Sequence, residues 1–191
     1  VSGGDASDSI VLAAAVTRSK ISGDDGNDIM SMAGAITASS LYGGSGNDTF
    51  TLSAVTANSS VLGEDGQDSF SIGTALTSTV SGGSGNDSII VGSSAYKSFI
   101  DSGVDADLIS FGGSVTSSTL SGGSGNDTIS IAAAIGGNSS VNAGAGDDSL
   151  VIAGGISGST LQASGGNDFI SISGGITSDS LMGGAGNDSF N

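Results

Sequence analysis

The chain has 191 residues, with 35 glycines, no proline, cysteine, tryptophan or histidine, and a formal charge of −16 at pH 7. The missing cysteines and histidines exclude disulfides, thiolate or Cys/His zinc sites and a thiol nucleophile. Three basic residues, Arg18, Lys20 and Lys97, are too few for a nucleic-acid footprint, and no apolar run approaches the ~18 residues of a membrane helix. Such charge with 4% aromatics is a mark of disorder, yet 36% of the chain is apolar, which is enough for a core. With no initiator Met and no signal-like start, residues 1–191 read as a single repeat domain, either a mature product or an excised segment of a larger protein.

One aspartate recurs at Asp8, Asp28, Asp48, Asp68, Asp87, Asp107, Asp127, Asp148, Asp168 and Asp188, at spacings of 19 to 21 residues. Aligning on it gives ten tandem copies. The pattern is apolar-x-Gly-Gly-x-Gly-Asn-Asp-Ser/Thr-apolar-Ser-apolar, then a short Ala/Gly/Ser link, an apolar residue and Thr-x-Ser-Ser, with the aspartate at position 8.

In chain order, copy 1 starts at Val1 and has Ala6-Ser7 in place of Gly-Asn. Copies 2 and 4 put Asp24 and Glu64 at the second glycine, while copy 3 carries the intact turn Gly43-Gly44-Ser45-Gly46-Asn47-Asp48. The intact turn returns in copy 5 (Gly82-Gly83-Ser84-Gly85), copy 7 (Gly122-Gly123-Ser124-Gly125) and copy 10 (Gly183-Gly184-Ala185-Gly186). Copy 6 is disrupted by Ser102-Gly103-Val104-Asp105-Ala106, and copy 9 replaces the glycine pair with Ala163-Ser164. One-residue slips fall after Leu76 and after Ile135, outside the turn.

Four apolar columns run through the copies, at positions 1, 10, 12 and 16. They hold, for example, Leu41, Phe50, Leu52 and Ile36, with Leu76 representing copy 4 in the last column, Val55 one place early and Ala95 weak. Positions 10 and 12, with Ser or Thr between them, alternate as a strand does, and no copy keeps a helical period beyond one turn. Twenty residues leave room for two short strands and two turns per coil. Coils stacked about 4.8 Å apart make a rod on the order of 45–50 Å long with one continuous core. The predicted fold is therefore an all-β parallel β-solenoid of about ten coils.

Of the 19 acidic residues, all but Asp179 lie between positions 2 and 8 of their copies. Stacking sets like charges about 5 Å apart, a repulsion of ~1 kcal/mol per pair in water and more near protein. Asp24, Asp25, Glu64, Asp65, Asp105 and Asp147 add to the same edge, and no lysine or arginine lies in any turn. A hard dication between successive turns removes the conflict. Ca²⁺ takes six to eight oxygens in irregular geometry, which suits carboxylates and turn carbonyls better than the strict octahedron of Mg²⁺. The predicted ligands are the ten column aspartates with backbone carbonyls of the four intact turns, positions 3 to 6. Ten turns leave nine gaps, and up to nine dications slightly overcompensate the net charge of −16.

The turn Gly-Gly-x-Gly-Asn-Asp-x-apolar-x resembles the RTX nonapeptide G-G-x-G-x-D-x-U-x. The resemblance implies a right-handed parallel β-roll with each ion between turns of adjacent coils, held by aspartate carboxylates and backbone carbonyls. RTX arrays repeat every nine residues and carry calcium turns on both edges. The 20-residue period here implies calcium on one edge only, because the opposite turn (Ala33-Gly34-Ala35, for example) has no acid. The looser 20-residue form resembles repeats of large bacterial surface and S-layer-like proteins. The degraded turns of copies 1, 6 and 9 are expected to bind more weakly.

These features predict a structural, non-enzymatic calcium-binding repeat, disordered without the ion and folding outside the cell. Extracellular modules bind at 10⁻⁴–10⁻³ M, and export by type I secretion goes with the RTX resemblance. The expected setting is a secreted bacterial surface protein, an S-layer, adhesin stalk or filament, with head-to-tail self-association of coil ends as a partner mode. Calcium is the expected partner, with no nucleic acid and no membrane span. The alternative is an adhesive, ice-binding or glycan-binding module presenting a flat Ser/Thr face. RTX-like ice binders carry Thr in the turn, and the matching position here has none. The Ser/Thr columns at positions 9, 11, 19 and 20, including Ser39, Ser59 and Ser118, are read as solvated strand faces.

Overall fold

The computed structural model describes all residues, 1–191, and contains strands and turns without a helix. The chain winds through nine complete coils and the first half of a tenth, each strand pairing in parallel with its equivalent one coil away. Each coil has three sides where two were expected. The first sheet has ten strands, most of them six residues long, such as Ser40–Ser45 and Ser60–Asp65. The second has ten, mostly of four residues, such as Thr49–Leu52. The third has nine two-residue strands, such as Ile36–Thr37. The short link after position 12 bends the coil once more before the apolar residue of position 16, so that single column becomes a side of its own.

Register follows the repeat. Val61 pairs with Leu41 on one side and Val80 on the other, and Phe70 sits between Phe50 and Ile89. The rings of Phe50 and Phe70 stack in parallel with centroids 4.6 Å apart. Thirty-four buried apolar residues form one core cluster along the axis. No helix is long and apolar enough to cross a membrane.

The position-16 column differs from the sequence reading in copy 4. Ala75, not Leu76, pairs with Val55 and Ala95 and is buried, while Leu76 turns outward and is 37% exposed. The missing residue lies in the link before Ala75, so the strand enters one position early and the larger side chain falls on the outer face. The extra residue after Ile135 is where the spacing put it. Gly137 and Asn138 both take positive φ there, as Ala57 and Asn58 do in copy 3.

The serines at or next to position 19 are a second correction. Ser39, Ser59, Ser78, Ser98, Ser118, Ser139 and Ser159 are buried, each pointing inward from the corner between the third and first sheets. Most rungs are joined by a backbone N–H donating to the next coil's serine hydroxyl, as from Ser98 to Ser118 at 3.1 Å and from Ser118 to Ser139 at 3.2 Å. The hydroxyl in turn donates to a carbonyl of its own coil, Ser118 to Thr116 at 2.9 Å. Both of its capacities are thereby used, which is why it tolerates burial.

Candidate calcium centres

The turn from the first to the second sheet occupies positions 6 to 8 of each coil. Its backbone is set at positions 4 and 6, where φ is positive in every copy: Gly44 and Gly46 in copy 3, Gly83 and Gly85 in copy 5. Glycine adopts this region without steric cost. Asp24, Glu64 and Ser164 hold it at position 4, and Ala6 and Asp105 at position 6.

This path turns the position-8 aspartates inward. Asp28, Asp48, Asp68, Asp87, Asp107, Asp127, Asp148 and Asp168 are all buried, whereas Asp8 and Asp188 lie in the first and last coils and are partly exposed. The ten form one ladder. The backbone N–H of each aspartate donates to Oδ1 of the next coil's aspartate, from Asp8 to Asp28 through Asp168 to Asp188, at 2.6–3.1 Å. The other oxygen has no such partner: Oδ2 of all eight interior aspartates is buried without a hydrogen bond. Burial raises the carboxyl of Asp87 to about 7 and those of Asp48, Asp68, Asp107 and Asp148 to about 6, with repulsion from neighbouring acids adding to the effect.

The remaining acids take a different place. Asp5, Asp25, Asp65 and Asp105 face outward, so the edge has an inner ladder and an outer scatter of charge, not a single crowded row. Residues Asp24, Asp25, Glu64 and Asp65 line a shallow open groove of about 440 Å³. The next column, position 7, makes a second ladder of opposite sense. The N–H of Asn47 donates to Oδ1 of Asn27 in the preceding coil at 2.7 Å, and Gln67 to Asn47 at 2.8 Å.

The turn carbonyls expected as ligands divide by position. Those at position 5 accept backbone N–H groups, Ser45 from Gly26 and Ser84 from Gly66, each at 2.8 Å, and Ala185 from Gly166 at 2.9 Å. Those at position 3 lie close to the preceding coil's aspartate. At Gly3, the place a Cβ would occupy lies 2.6 Å from both Asp8 Oδ2 and the carbonyl oxygen of Gly23. The same two oxygens, from the coil's own aspartate and the next coil's position 3, converge at Gly23, Gly43, Gly63, Gly82 and Gly122. Calcium–oxygen distances are about 2.3–2.6 Å. An orphaned buried carboxylate oxygen brought close to a carbonyl over a glycine Cα fits a hard cation. The column aspartates and the position-3 carbonyls would hold it, and the ion would supply the charge that the ladder lacks.

The profile of the RTX calcium-binding nonapeptide repeat (4 copies) matches residues 38–54, 72–95, 112–130, 136–156 and 153–190, together more than half of the chain. The chain belongs to the RTX calcium-binding repeat family. It is a calcium-binding RTX-repeat β-solenoid whose 20-residue coil carries its acidic turn on one edge. Among solved structures it is similar to a hyperactive, Ca²⁺-dependent, β-helical antifreeze protein from an Antarctic bacterium, with a TM-score of 0.65 and 24% identity. That similarity covers 99% of this RTX solenoid and 59% of the other chain, and it shows the shared fold. A comparison with curated proteins finds no match.

Sequence reasoning missed the serine ladder. The serine recurs in nearly every copy, and that recurrence was the available signal.

Proposed function

We propose that this solenoid is a calcium-locked rod in a secreted bacterial surface protein, such as an S-layer, an adhesin stalk or a filament, which folds and stiffens when it meets extracellular calcium. The observation that carries the reading is the row of eight buried carboxylate oxygens without a partner. An isolated buried charge costs several kcal/mol, and eight in register oppose the fold until cations fill the gaps. Sites in the 10⁻⁴–10⁻³ M range typical of extracellular modules are empty in cytosol and filled outside, which supports secretion in an unfolded state. The column aspartates Asp8 to Asp188 are the proposed ligands, at up to nine gaps. Far-UV circular dichroism in EGTA, followed by calcium titration, tests the reading. A β-spectrum should grow with calcium, and one that is unchanged by EGTA overturns it. Head-to-tail self-association belongs to the same reading, and a monodisperse monomer in calcium by light scattering argues against it.

A second reading has its own observation. Along the serine corner runs a shallow groove of about 530 Å³, lined by Asn58, Ser60, Thr77, Thr79, Lys97 and the partly exposed Phe99, among others. Hydroxyls beside an exposed aromatic ring suit a glycan, so adhesion would use this corner. A glycan array with wild type and Phe99→Ala decides it. The similar antifreeze structure keeps ice binding in view, but Val11, Ile29, Ile90, Val151 and Phe169 interrupt the hydroxyls on the outer face of the second sheet. An ice-recrystallisation assay is the check.

A further inference from the structure

We infer that the first glycine of each turn gates its calcium gap, so that six of the nine gaps take an ion and three are closed by a side chain. This rests on the calcium-locked reading above and adds to it which sites are filled.

The two adjacent glycines of the motif serve different needs. The second, at position 4, has positive φ; the first, at position 3, does not. What the first requires is space. A Cβ at Gly3, Gly23, Gly43, Gly63, Gly82 or Gly122 would lie within 3.0 Å of Oδ2 of its own coil's aspartate and of the next coil's position-3 carbonyl, closer than real Cβ atoms come. With no Cβ between them, these two oxygens close in over the glycine Cα, near enough to share one cation.

Three coils place a Cβ there instead, which keeps the two oxygens apart. Ser102, Ala143 and Ala163 stand at position 3 of copies 6, 8 and 9, and all three are fully buried, pointing inward. Ser102 also puts a substitute in place of the ion, because its hydroxyl donates to the Gly122 carbonyl at 2.8 Å, the oxygen that would otherwise face the gap. The gaps after copies 1, 2, 3, 4, 5 and 7 are open; those after copies 6, 8 and 9 are closed. Copy 1 is therefore a binding copy despite its Ala6-Ser7, and copy 8, whose sequence departs less obviously, is not. Asp107 and Asp148 each keep a filled gap one coil away, roughly 5 Å, while Asp168 has no filled gap beside it.

The test is calcium bound per chain, by equilibrium dialysis of the intact protein at about 5 mM free calcium, above the usual extracellular range. Wild type should plateau at six. Ala143→Gly and Ser102→Gly should each add one ion, and Gly43→Ala should remove one. A wild-type plateau of nine, or an unchanged count in Ala143→Gly and Ser102→Gly, overturns the gating. Ala143→Gly removes only a methyl group, and Ser102→Gly only the methylene and its hydroxyl's bond to the Gly122 carbonyl, so both remain informative if Gly43→Ala does not fold. A wild type that binds no calcium fails earlier, by removing the calcium-locked reading itself.

Discussion

Two corners of the same coil are built on the same hydrogen bond and differ in one functional group. At the aspartate corner, a backbone N–H donates to the next coil's carboxylate; at the serine corner, a backbone N–H donates to the next coil's hydroxyl. The hydroxyl then donates to its own coil's carbonyl, and nothing is left over. The carboxylate has a second oxygen, buried and unpartnered in eight coils. The serine corner closes by itself and, in the proposed calcium-locked rod, the aspartate corner closes around a cation. A solenoid can thus carry a permanent seam and a conditional one side by side, and only the second reports on its surroundings.

The largest expected difference between the seams is in pH dependence without calcium. In the calcium-free fold, burial holds Asp87 near 7 and Asp48, Asp68, Asp107 and Asp148 near 6, against about 3.9 for an unfolded aspartate. Between these values the folded chain retains protons that the unfolded chain has released. The protonated ladder's contribution to stability is full below about pH 4 and is lost as pH rises through 6 to 7. The β-signal of EGTA-treated protein should therefore increase as pH is lowered from 8 to about 4, and an equal signal across that range contradicts the assignment.

Next in size is Asp87→Ala, which deprives the Asp68 N–H of its acceptor. The lost hydrogen bond costs about 1–3 kcal/mol, and the lost ion adds a contribution that grows with calcium concentration. Chemical denaturation at two calcium levels should show a widening gap from wild type. Ser118→Ala makes the parallel change at the permanent seam by orphaning the Ser98 N–H. It should cost a similar ~1–3 kcal/mol, but by the same amount at both calcium levels. A calcium-dependent penalty there would show that the seams are not independent. The smallest effect is expected at Asp179, the acid that stands in the serine column and accepts the N–H groups of Ser159 and Thr177, each at 2.7 Å. Asp179→Ser should shift stability by no more than about 0.5 kcal/mol and leave the calcium count unchanged.

The period, the aspartate column and the apolar columns at positions 1, 10 and 12 were legible because each depends on a residue's own character repeated at a fixed spacing. Ser39, Ser59 and Ser118 were read as solvated because a lone serine is usually exposed. Their burial depends on a donor in the neighbouring coil that no single copy displays. Leu76 was placed inside by size, whereas the shortened link before Ala75 sets which of the two residues turns inward. The two glycines looked alike in the motif. One serves a dihedral angle and the other the close approach of two oxygens, and only the path of the backbone separates them.

The opposed sense of the aspartate and asparagine ladders has a mechanical consequence. Where both are complete, as between copies 2 and 3, each coil grips its neighbour in both directions, Asp28 donating forward and Asn47 backward. The bonds between coils run along the rod, so a pull on its two ends loads one junction at a time. Each coil that peels away frees a length of about 66–72 Å when fully extended, against the 4.8 Å it occupied in the stack. Under tension the rod becomes a row of sacrificial links, releasing slack stepwise, with calcium setting the force at which the filled junctions yield.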